Sequence, residues 1–385
     1  MRGATLLRSM FYIVLLALAV LAAFFLIPTT VRYHVVERYT FAGGESQIPL
    51  ALGVIVPRSG PYQTVSPAAV EWEGILMRHT ESTIELLLLE GTLGSDGRQT
   101  AQISYDVILR QGPIQWEAPI LPRHLQLQPN IESDAPALLA RAADLAGSEE
   151  TDDALSIFNF TAGHLKWAQG TRLEVAPSAL DAYRSGTGNY AEFSNLMVAL
   201  CRAAEIPALT VRGLAFSPLT PPLTTVTATW RSPAGPHAWV EVHTDAGWTL
   251  ADPSWASRLP FRWMWFGRTS GTHLSYGETI SYNEHYARLS DWVAQRGNLA
   301  AAMSAPLAFA AAADVSREGD IVADDARLAE QITLTPTVTV RKGWDGRWGV
   351  ALSIYLVLTG LILVVERSIA RHRVHPQAVS GGRSG

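Results

Sequence analysis

The chain has 385 residues, 48% of them hydrophobic and 17% charged, with a formal net charge of −5 and one cysteine. A charged fraction this low, together with a mean hydropathy of +0.11, indicates membrane segments. The acidic balance leaves no basic footprint for binding nucleic acid. A single cysteine excludes an intrachain disulfide framework and any zinc or redox site of the CxxC type, but it leaves room for one catalytic thiolate.

Two uncharged apolar runs account for the hydropathy, at residues 10–28 and 349–365. Each approaches the ~20 residues that a helix needs to cross a bilayer. Basic residues flank both ends of each run, so their count does not settle the orientation. A short N-terminal tail most simply stays inside, so we expect both termini in the cytoplasm and residues 31–347 outside it. Because the basic residues are nearly all arginine, as in GC-rich bacterial genomes, the expected location is a bacterial inner membrane. A cleaved signal peptide is the alternative for the first run.

The region between residues 33 and 120 is rich in Val, Ile, Leu and Thr and is broken by short turns of Gly, Pro, Ser and Asp. Several short strands at this spacing predict a small β-sandwich over residues 31–125. The region shows no cluster of reactive side chains. Its expected role is packing or docking.

Beyond residue 126 the hydrophobic period becomes helical. The segment from Tyr190 to about Ala204 repeats apolar residues at i, i+3, i+4 and i+7, which predicts a helix with one buried face. Strands are predicted next, at residues 208–216, 237–243 and 247–253. Helices that precede a set of strands indicate an α+β fold.

Three blocks in this region carry a family resemblance. They are residues 138–160, GNYAEFSNLMVALCRAAEIPAL at 188–209 and HAWVEVHTDAGWTLADPSW at 237–255. A helix followed by one strand with His-Ala-Trp-Val-Glu-Val and another with Gly-Trp-x-x-x-Asp-Pro resembles the transglutaminase-like superfamily. The resemblance covers roughly residues 130–255 and implies a papain-like α+β core behind a β-rich domain.

We therefore expect six segments along the chain. They are an N-terminal transmembrane anchor (1–30), a β-sandwich domain (31–125), a transglutaminase-like domain (126–312), a linker with a possible strand (313–345), a C-terminal transmembrane helix (346–367) and a cytoplasmic tail (368–385).

The family chemistry uses a cysteine at the N-terminus of the core helix, a histidine on one strand and an aspartate after the next. The helix N-terminus stabilises the thiolate, the imidazole takes the thiol proton and the carboxylate sets the imidazole tautomer. The resemblance places His237 and Asp252 in the last two roles. The motif register runs without a gap from Gly188 onward, and it puts Tyr190 at the cysteine position.

The motif also departs from the family pattern at the other end of the helix. Glu205 stands where the family has a glycine before Ile-Pro, and Leu209 stands where it has an arginine.

No other residue is a convincing nucleophile. Cys201 lies about 16 Å along the same helix from Tyr190, on the buried face and near the C-terminal end, where the helix dipole disfavours a thiolate. A phenol such as Tyr190, with an ordinary pKa of about 10, is a poor nucleophile near neutral pH. The remaining hydroxyls near the site, of Ser185, Thr187 and Ser194, do not fall on the nucleophile register.

The strand with His237 alternates, so that Trp239, Glu241 and His243 share its face. We expect Trp239 and Glu241 to line the cleft. His237 and His243 lack a third metal ligand at recognisable spacing, so we expect no metal and no cofactor. The aromatic residues from Trp263 onward are expected to pack in the core or to line a groove for a peptide or sugar.

The leading hypothesis is a membrane-anchored pseudoenzyme whose degenerate triad is Tyr190, His237 and Asp252, serving as a binding or scaffolding module at the cell envelope. Its expected partners are the membrane and a peptide, a protein or an envelope polymer, and not nucleic acid. Two alternatives remain. One is an active hydrolase or acyltransferase that attacks peptide or protein amides with a non-standard nucleophile; the other is a structural subunit of a membrane complex.

Overall fold

The computed structural model describes residues 10–14, 16–19, 27–43, 48–80, 85–147, 150–168, 178–217, 220–228, 234–259, 261–278, 300–304, 321–323 and 332–374. The chain divides into two compact units, one of residues 31–344 and one of the terminal segments, 1–30 and 345–385. The larger unit has a mixed α/β structure with several antiparallel sheets.

The strands of the described residues are β1 (Thr29–Gly43), β2 (Pro49–Val56), β3 (Gln63–Val65), β4 (Ala69–Glu71), β5 (Ile75–Thr80), β6 (Glu85–Thr92), β7 (Arg98–Pro113), β8 (Lys166–Trp167), β9 (Thr187–Gly188), β10 (Ala208–Phe216), β11 (Thr225–Thr227), β12 (Ala234–Thr244), β13 (Gly247–Ala251), β14 (Arg268–Ser270), β15 (His273–Glu278), β16 (Ala300–Ser304), β17 (Ile321–Ala323) and β18 (Ile332–Asp345). The helices are α1 (Pro136–Leu145), α2 (Glu150–His164), α3 (Ala179–Ser185), α4 (Tyr190–Ala203), α5 (Pro253–Arg258) and α6 (Gly346–Val374), with short 3-10 helices at Pro122–His124 and Arg262–Trp265.

Two sheets share one apolar core. The first has the order β11-β18-β1-β7-β14, with β3 and β4 also paired to β7, and the second has the order β17-β16-β2-β6-β5. Along β1, buried residues alternate with exposed or half-buried ones, as expected of a strand with one face on a core. Side chains of both sheets meet in one buried cluster. The first sheet joins strands from three predicted segments, because β11 and β14 come from residues 126–312 and β18 from residues 313–345.

A buried carboxyl links this sheet to the strand β15. Glu37 of β1 accepts hydrogen bonds from the hydroxyls of Tyr39 (2.5 Å), Tyr105 (2.5 Å) and Tyr276 (3.0 Å), and all four side chains are buried. Burial raises the pKa of Glu37, although the three phenols oppose the rise. Each polar atom has a partner, so the network holds β15 against the β-rich part of the unit.

The predicted α+β core is present after residue 130. A four-stranded antiparallel sheet has the order β13-β12-β10-β15, and α4 lies against β10 and β12. Apolar residues of α1 to α5 and of this sheet form the second large core cluster. The helix predicted from Tyr190 and the strand predicted at 208–216 both occur at the predicted positions.

The smaller unit contains α6. Residues 346–365 of this helix are long and apolar enough to cross a membrane, and this is the only such helix in the part of the chain that the structure describes. At its start the Asp345 carboxylate pairs with Arg347, whose Nε lies 2.8 Å from Oδ1, so both charges are neutralised before the apolar run begins. The predicted first span falls partly outside the described residues, which show a shorter apolar helix from Met10 to Ala19.

The backbone is strained at the C-terminal end of α4, at one of the positions where the motif departs from the family pattern. Glu205 follows the C-cap residue Ala204 and has a φ of +62°, in the left-handed region. This position after a helix is usually a glycine, because a Cβ there meets the neighbouring carbonyl oxygen. Glu205 thus adopts the conformation that the family glycine would adopt without strain.

Replacing Glu205 with glycine should stabilise the protein. We expect Glu205→Gly to raise the free energy of unfolding by about 1 kcal/mol, since glycine removes the left-handed penalty. Urea denaturation followed by tryptophan fluorescence measures the change. The matched control is Ala204→Gly, at a residue with φ of −95°, which should lower stability. Equal effects of the two substitutions would contradict the assignment of strain to Glu205.

Candidate functional site

The N-terminus of α4 presents the phenol of Tyr190, the residue that the sequence register predicts at the nucleophile position. Asn189 caps the helix by accepting from the Ala191 amide (2.8 Å), and the Glu192 carboxylate accepts from the Asn189 amide (2.9 Å). This capping box fixes the first turn. Tyr190 is the first helical residue and is 6% exposed. Burial raises the pKa of its phenol further above the ordinary value of 10, so the tyrosinate is disfavoured at neutral pH.

The predicted histidine and aspartate are in contact. Nε2 of His237, on β12, lies 2.8 Å from Oδ2 of Asp252, which follows β13. A second histidine, His273 at the start of β15, places its own Nε2 3.0 Å from the same oxygen. An ionised carboxylate only accepts, so the contacts assign the hydrogen to Nε2 in both rings.

Asp252 has a second set of partners through its other oxygen. Oδ1 accepts from the amides of Ser254 (3.0 Å) and Trp255 (3.0 Å) and from the Ser254 hydroxyl (2.8 Å), so Asp252 is the N-cap of α5. Burial by itself would raise the pKa of Asp252, but the attraction and hydrogen bonds of His237 and His273 outweigh it and hold the pKa well below its usual range. The stabilisation from this carboxylate is therefore present above about pH 4 and is lost as the pH falls further.

Aromatic rings fill the space around His237. Its ring centroid lies 5.2 Å from that of Trp255, 5.4 Å from that of Tyr190 and 5.4 Å from that of His273. Trp239 stacks on the other side at 6.3 Å and has no exposed surface. Trp239 is therefore a core residue rather than the cleft residue that strand alternation predicts.

A glycine on β10 allows this close packing. Gly213 pairs with His237, and a Cβ on Gly213 would lie 1.9 Å from the carbonyl oxygen of Leu274 and 2.8 Å from a ring carbon of Trp239. No larger residue fits there without moving β15 or the indole.

Glu241, the other predicted cleft residue, lies farther along β12 and faces a cavity of about 200 Å³. Its Oε1 accepts from the hydroxyl of Tyr62 at 2.7 Å. Burial, with help from nearby Glu278, raises the pKa of Glu241 to about 7, and the Tyr62 hydrogen bond opposes the rise. Glu278 itself is paired with Arg123 at 3.0 Å. The participation of Glu241 in a cleft with His237 stays a prediction.

The other candidate nucleophiles have structural positions. Cys201 is fully buried in the core cluster of the helices. Ser194 is also buried and donates to the carbonyl of Tyr190 at 2.9 Å. Among the described residues, no serine or threonine hydroxyl is within hydrogen-bond distance of His237, whose partner is Asp252.

Sequence reasoning missed His273. It lies 36 residues after His237, beyond the three family blocks, and no spacing pattern connects it to Asp252; only the antiparallel pairing of β15 with β10 brings it to the site. His237, Asp252 and His273 also form a group whose ligand atoms lie within 4.8 Å of one another and could hold a metal ion. The predicted partner His243 is not part of this group. In the present arrangement both imidazole N–H groups are directed at Asp252, so coordination through Nε2 would require the tautomer with the hydrogen on Nδ1 in both rings.

The α+β core brings the N-terminus of α4, His237 and Asp252 to one corner, which is the arrangement of a papain-like fold. Residues 139–253 match the family model of the transglutaminase-like superfamily. This part of the chain is a transglutaminase-like domain.

Two solved structures align with this chain at low sequence identity. A candidate cysteine protease from Cytophaga hutchinsonii is 14% identical, with 83% of this chain and 97% of that chain covered and a TM-score of 0.49. The periplasmic domain of TgpA from Pseudomonas aeruginosa is 17% identical, with 57% and 88% covered and a TM-score of 0.31. A sequence search of curated proteins finds no match.

The buried histidine His273 should make stability depend on pH. Burial lowers its pKa below the ordinary 6.5, although Asp252 opposes the change. As the pH falls through 6.5, the unfolded chain therefore binds a proton here that the folded chain does not bind, and this residue contributes less stability. His273→Gln, which keeps a donor for Asp252 without titrating, should destabilise by about 1–3 kcal/mol at pH 7.5 and by less at lower pH.

The measurement is urea denaturation of wild type and variant between about pH 7.5 and pH 5.5. The difference in unfolding free energy should shrink by up to about 1.4 kcal/mol per pH unit. Thr249→Val is the control, because it removes a buried hydrogen bond of 2.6 Å to the Ile114 carbonyl but no titrating group. If the difference in unfolding free energy between wild type and His273→Gln is constant across this pH range, the His273 ring does not titrate as stated.

Proposed function

We propose that this protein is a membrane-tethered, extracytoplasmic binding or scaffolding module whose transglutaminase-like domain has no catalytic activity. The observation that carries the proposal is the buried phenol of Tyr190 at the nucleophile position, with its ring 5.4 Å from that of His237. Acyl transfer of this class begins with a deprotonated nucleophile at the helix N-terminus. A phenol with a raised pKa does not provide one near neutral pH.

The rest of the site supports a structural use. Asp252 satisfies two imidazoles and the first turn of α5 at the same time, so it joins β12, β15 and α5 without any reaction. Buried polar networks of this kind stabilise a fold when each member has a partner. The retained His237 and Asp252 are therefore explained without catalysis.

The tether is proposed as two spans with both termini in the cytoplasm of a bacterial inner membrane. The apolar residues 346–365 of α6 support the second span, and a short N-terminal tail followed by two spans would return the C-terminus to the cytoplasmic side. Trp344 and Trp348, which are 57% and 42% exposed, fit the aromatic belt at a membrane surface. The first span rests on the sequence of residues 10–28, and the two β-rich sheets are proposed as a sandwich that serves for docking.

One observation favours the enzyme alternative. The His237–Asp252 pair has the geometry of a general base and the carboxylate that orients it. The direct test is turnover by the full chain in nanodiscs, with fluorogenic peptide amides for hydrolysis and labelled hydroxylamine for acyl transfer. The wild type should show no activity above background. Activity that Tyr190→Phe abolishes would overturn the proposal, because only a catalytic phenol needs its hydroxyl.

Tyr190→Cys should reveal whether the frame of the site is intact. A thiol at the start of α4 beside His237 should have a pKa below the ordinary 8.5, because the helix N-terminus and an imidazolium both favour the thiolate. The pH dependence of iodoacetamide alkylation measures this pKa, and the buried Cys201 should stay unreacted in wild type and variant alike.

Ala191→Cys is the matched control for this substitution. It places a thiol one residue later in the same helix turn, away from the register of His237. The Tyr190→Cys thiol should have the lower pKa of the two. Equal values would mean that His237 is not positioned to act on residue 190.

A further inference from the structure

An exposed surface with arginines and aromatic residues lies beyond α5. We call it the arginine–aromatic surface and define it by Arg258, Leu259, Phe261, Arg262 and Trp263. Leu259, Phe261 and Trp263 are 37%, 51% and 53% exposed, and both arginines are exposed as well. Three large apolar side chains exposed so close together are unusual on a soluble domain and mark interaction sites.

The charge of this surface has one sign. The sequence from Pro253 to Arg268 contains three arginines and neither aspartate nor glutamate. The chain as a whole has a net charge of −5, whereas this segment is positively charged. The local positive charge favours an anionic partner.

Two of the guanidinium groups are held against aromatic faces. The Arg258 guanidinium lies 4.1 Å from the ring centroid of Trp167, and that of Arg268 lies 5.9 Å from the ring of Trp263. A guanidinium held over an aromatic face loses orientational freedom, and the exposed Arg258 can still donate to a carboxylate. Groups oriented in this way suit discrete carboxylates, which accept two parallel hydrogen bonds.

The backbone is strained where the surface projects most. Phe261 has φ of +61° and ψ of +61°, in the left-handed region that a phenylalanine rarely adopts. The strain is not balanced by burial of the ring, which is half exposed. Such strain in a bulky residue is typical of a functional segment.

The surface is continuous with the filled site. The ring of Trp167 lies 6.4 Å from that of Tyr190 on one side and contacts Arg258 on the other. A partner seated on the arginine–aromatic surface would therefore reach the rim of the position where an acyl-transferring relative holds its nucleophile.

We propose that the arginine–aromatic surface binds an acidic, amphipathic peptide segment of another protein, an inference that rests on the proposed function of a binding module. The carboxylates would pair with Arg258 and Arg262, and apolar side chains would cover Leu259, Phe261 and Trp263. The five defining residues carry no amide or hydroxyl side chain with which to bind sugar hydroxyls. The guanidinium of Arg258, held on Trp167, fits a separate carboxylate better than it fits the diffuse charge of a lipid surface.

The test uses the full chain in phosphatidylcholine nanodiscs and a fluorescein-labelled decapeptide in which glutamate alternates with leucine and phenylalanine. Fluorescence anisotropy should show binding, and the same peptide with glutamine in place of glutamate should bind about tenfold more weakly or worse. Arg258→Gln and Arg262→Gln should each weaken binding of the acidic peptide by about tenfold. Arg98→Gln and Leu127→Gly, at exposed positions elsewhere, are the matched controls and should bind as the wild type does.

Phe261→Gly separates binding from folding. Glycine accepts the left-handed backbone, so the Tm should stay equal or rise while peptide affinity falls about tenfold. Unchanged affinity in this variant and in both arginine variants would overturn the proposal, as would equal binding of the glutamine peptide. If brominated phosphatidylglycerol in the nanodisc quenches the fluorescence of Trp263, measured as the difference from Trp263→Phe, and the peptide does not bind, the surface contacts the bilayer instead.

Mass spectrometry of the recovered peptide distinguishes this inference from the proposed function. If the peptide is recovered intact but does not bind, the proposed binding at the arginine–aromatic surface is wrong and the proposed function is unaffected. A cleaved or acyl-modified peptide would show turnover and overturn the proposed absence of catalysis.

Discussion

The carboxylate of Asp252 is the group on which the geometry of the site depends. One oxygen accepts from His237 and His273, and the other accepts from the first turn of α5. These partners belong to β12, β15 and α5, and the carboxylate joins them by hydrogen bonds in addition to the pairing of β12 and β15 with β10. Because the carboxylate is buried, its charge is tolerated only while these donors surround it. The conformation of this corner is thus determined by one ionised group.

The pair of His237 and Asp252 has a structural use that requires no reaction, because it links β12 to the first turn of α5. Under the proposed function, with Tyr190 at the nucleophile position, this structural use is the one that is left, since a buried phenol is not deprotonated near neutral pH. The phenol ring also fills the space beside His237, so the corner remains packed.

Some parts of the fold could be predicted from the sequence, and the reason is local. The helix α4 follows from apolar residues at helical spacing and from Asn189 with Glu192, which form its capping box. The strand β10 follows from a continuous apolar run before a turn. The contact of His237 with Asp252 follows from two blocks only a few residues apart, joined by a tight turn between β12 and β13.

The long-range contacts could not be predicted in this way. The burial of Trp239 depends on Gly213 and on neighbours from β13 and the loop before β3, so strand alternation alone placed it in a cleft. The pairing of β18 with β1 joins residues about 300 apart in sequence, and no local signal specifies such a partner.

By itself, the sequence determined the class of the domain and the two apolar runs, and it predicted the residue at the nucleophile position, since each depends on residue type at short spacing. The tertiary structure alone decided that Asp252 has a second imidazole, that Tyr190 is enclosed by aromatic rings, and that Arg258 stacks beside the filled site on Trp167. These features depend on which strands and loops meet in space. That choice is made by burial of apolar surface over the whole unit rather than by any one segment.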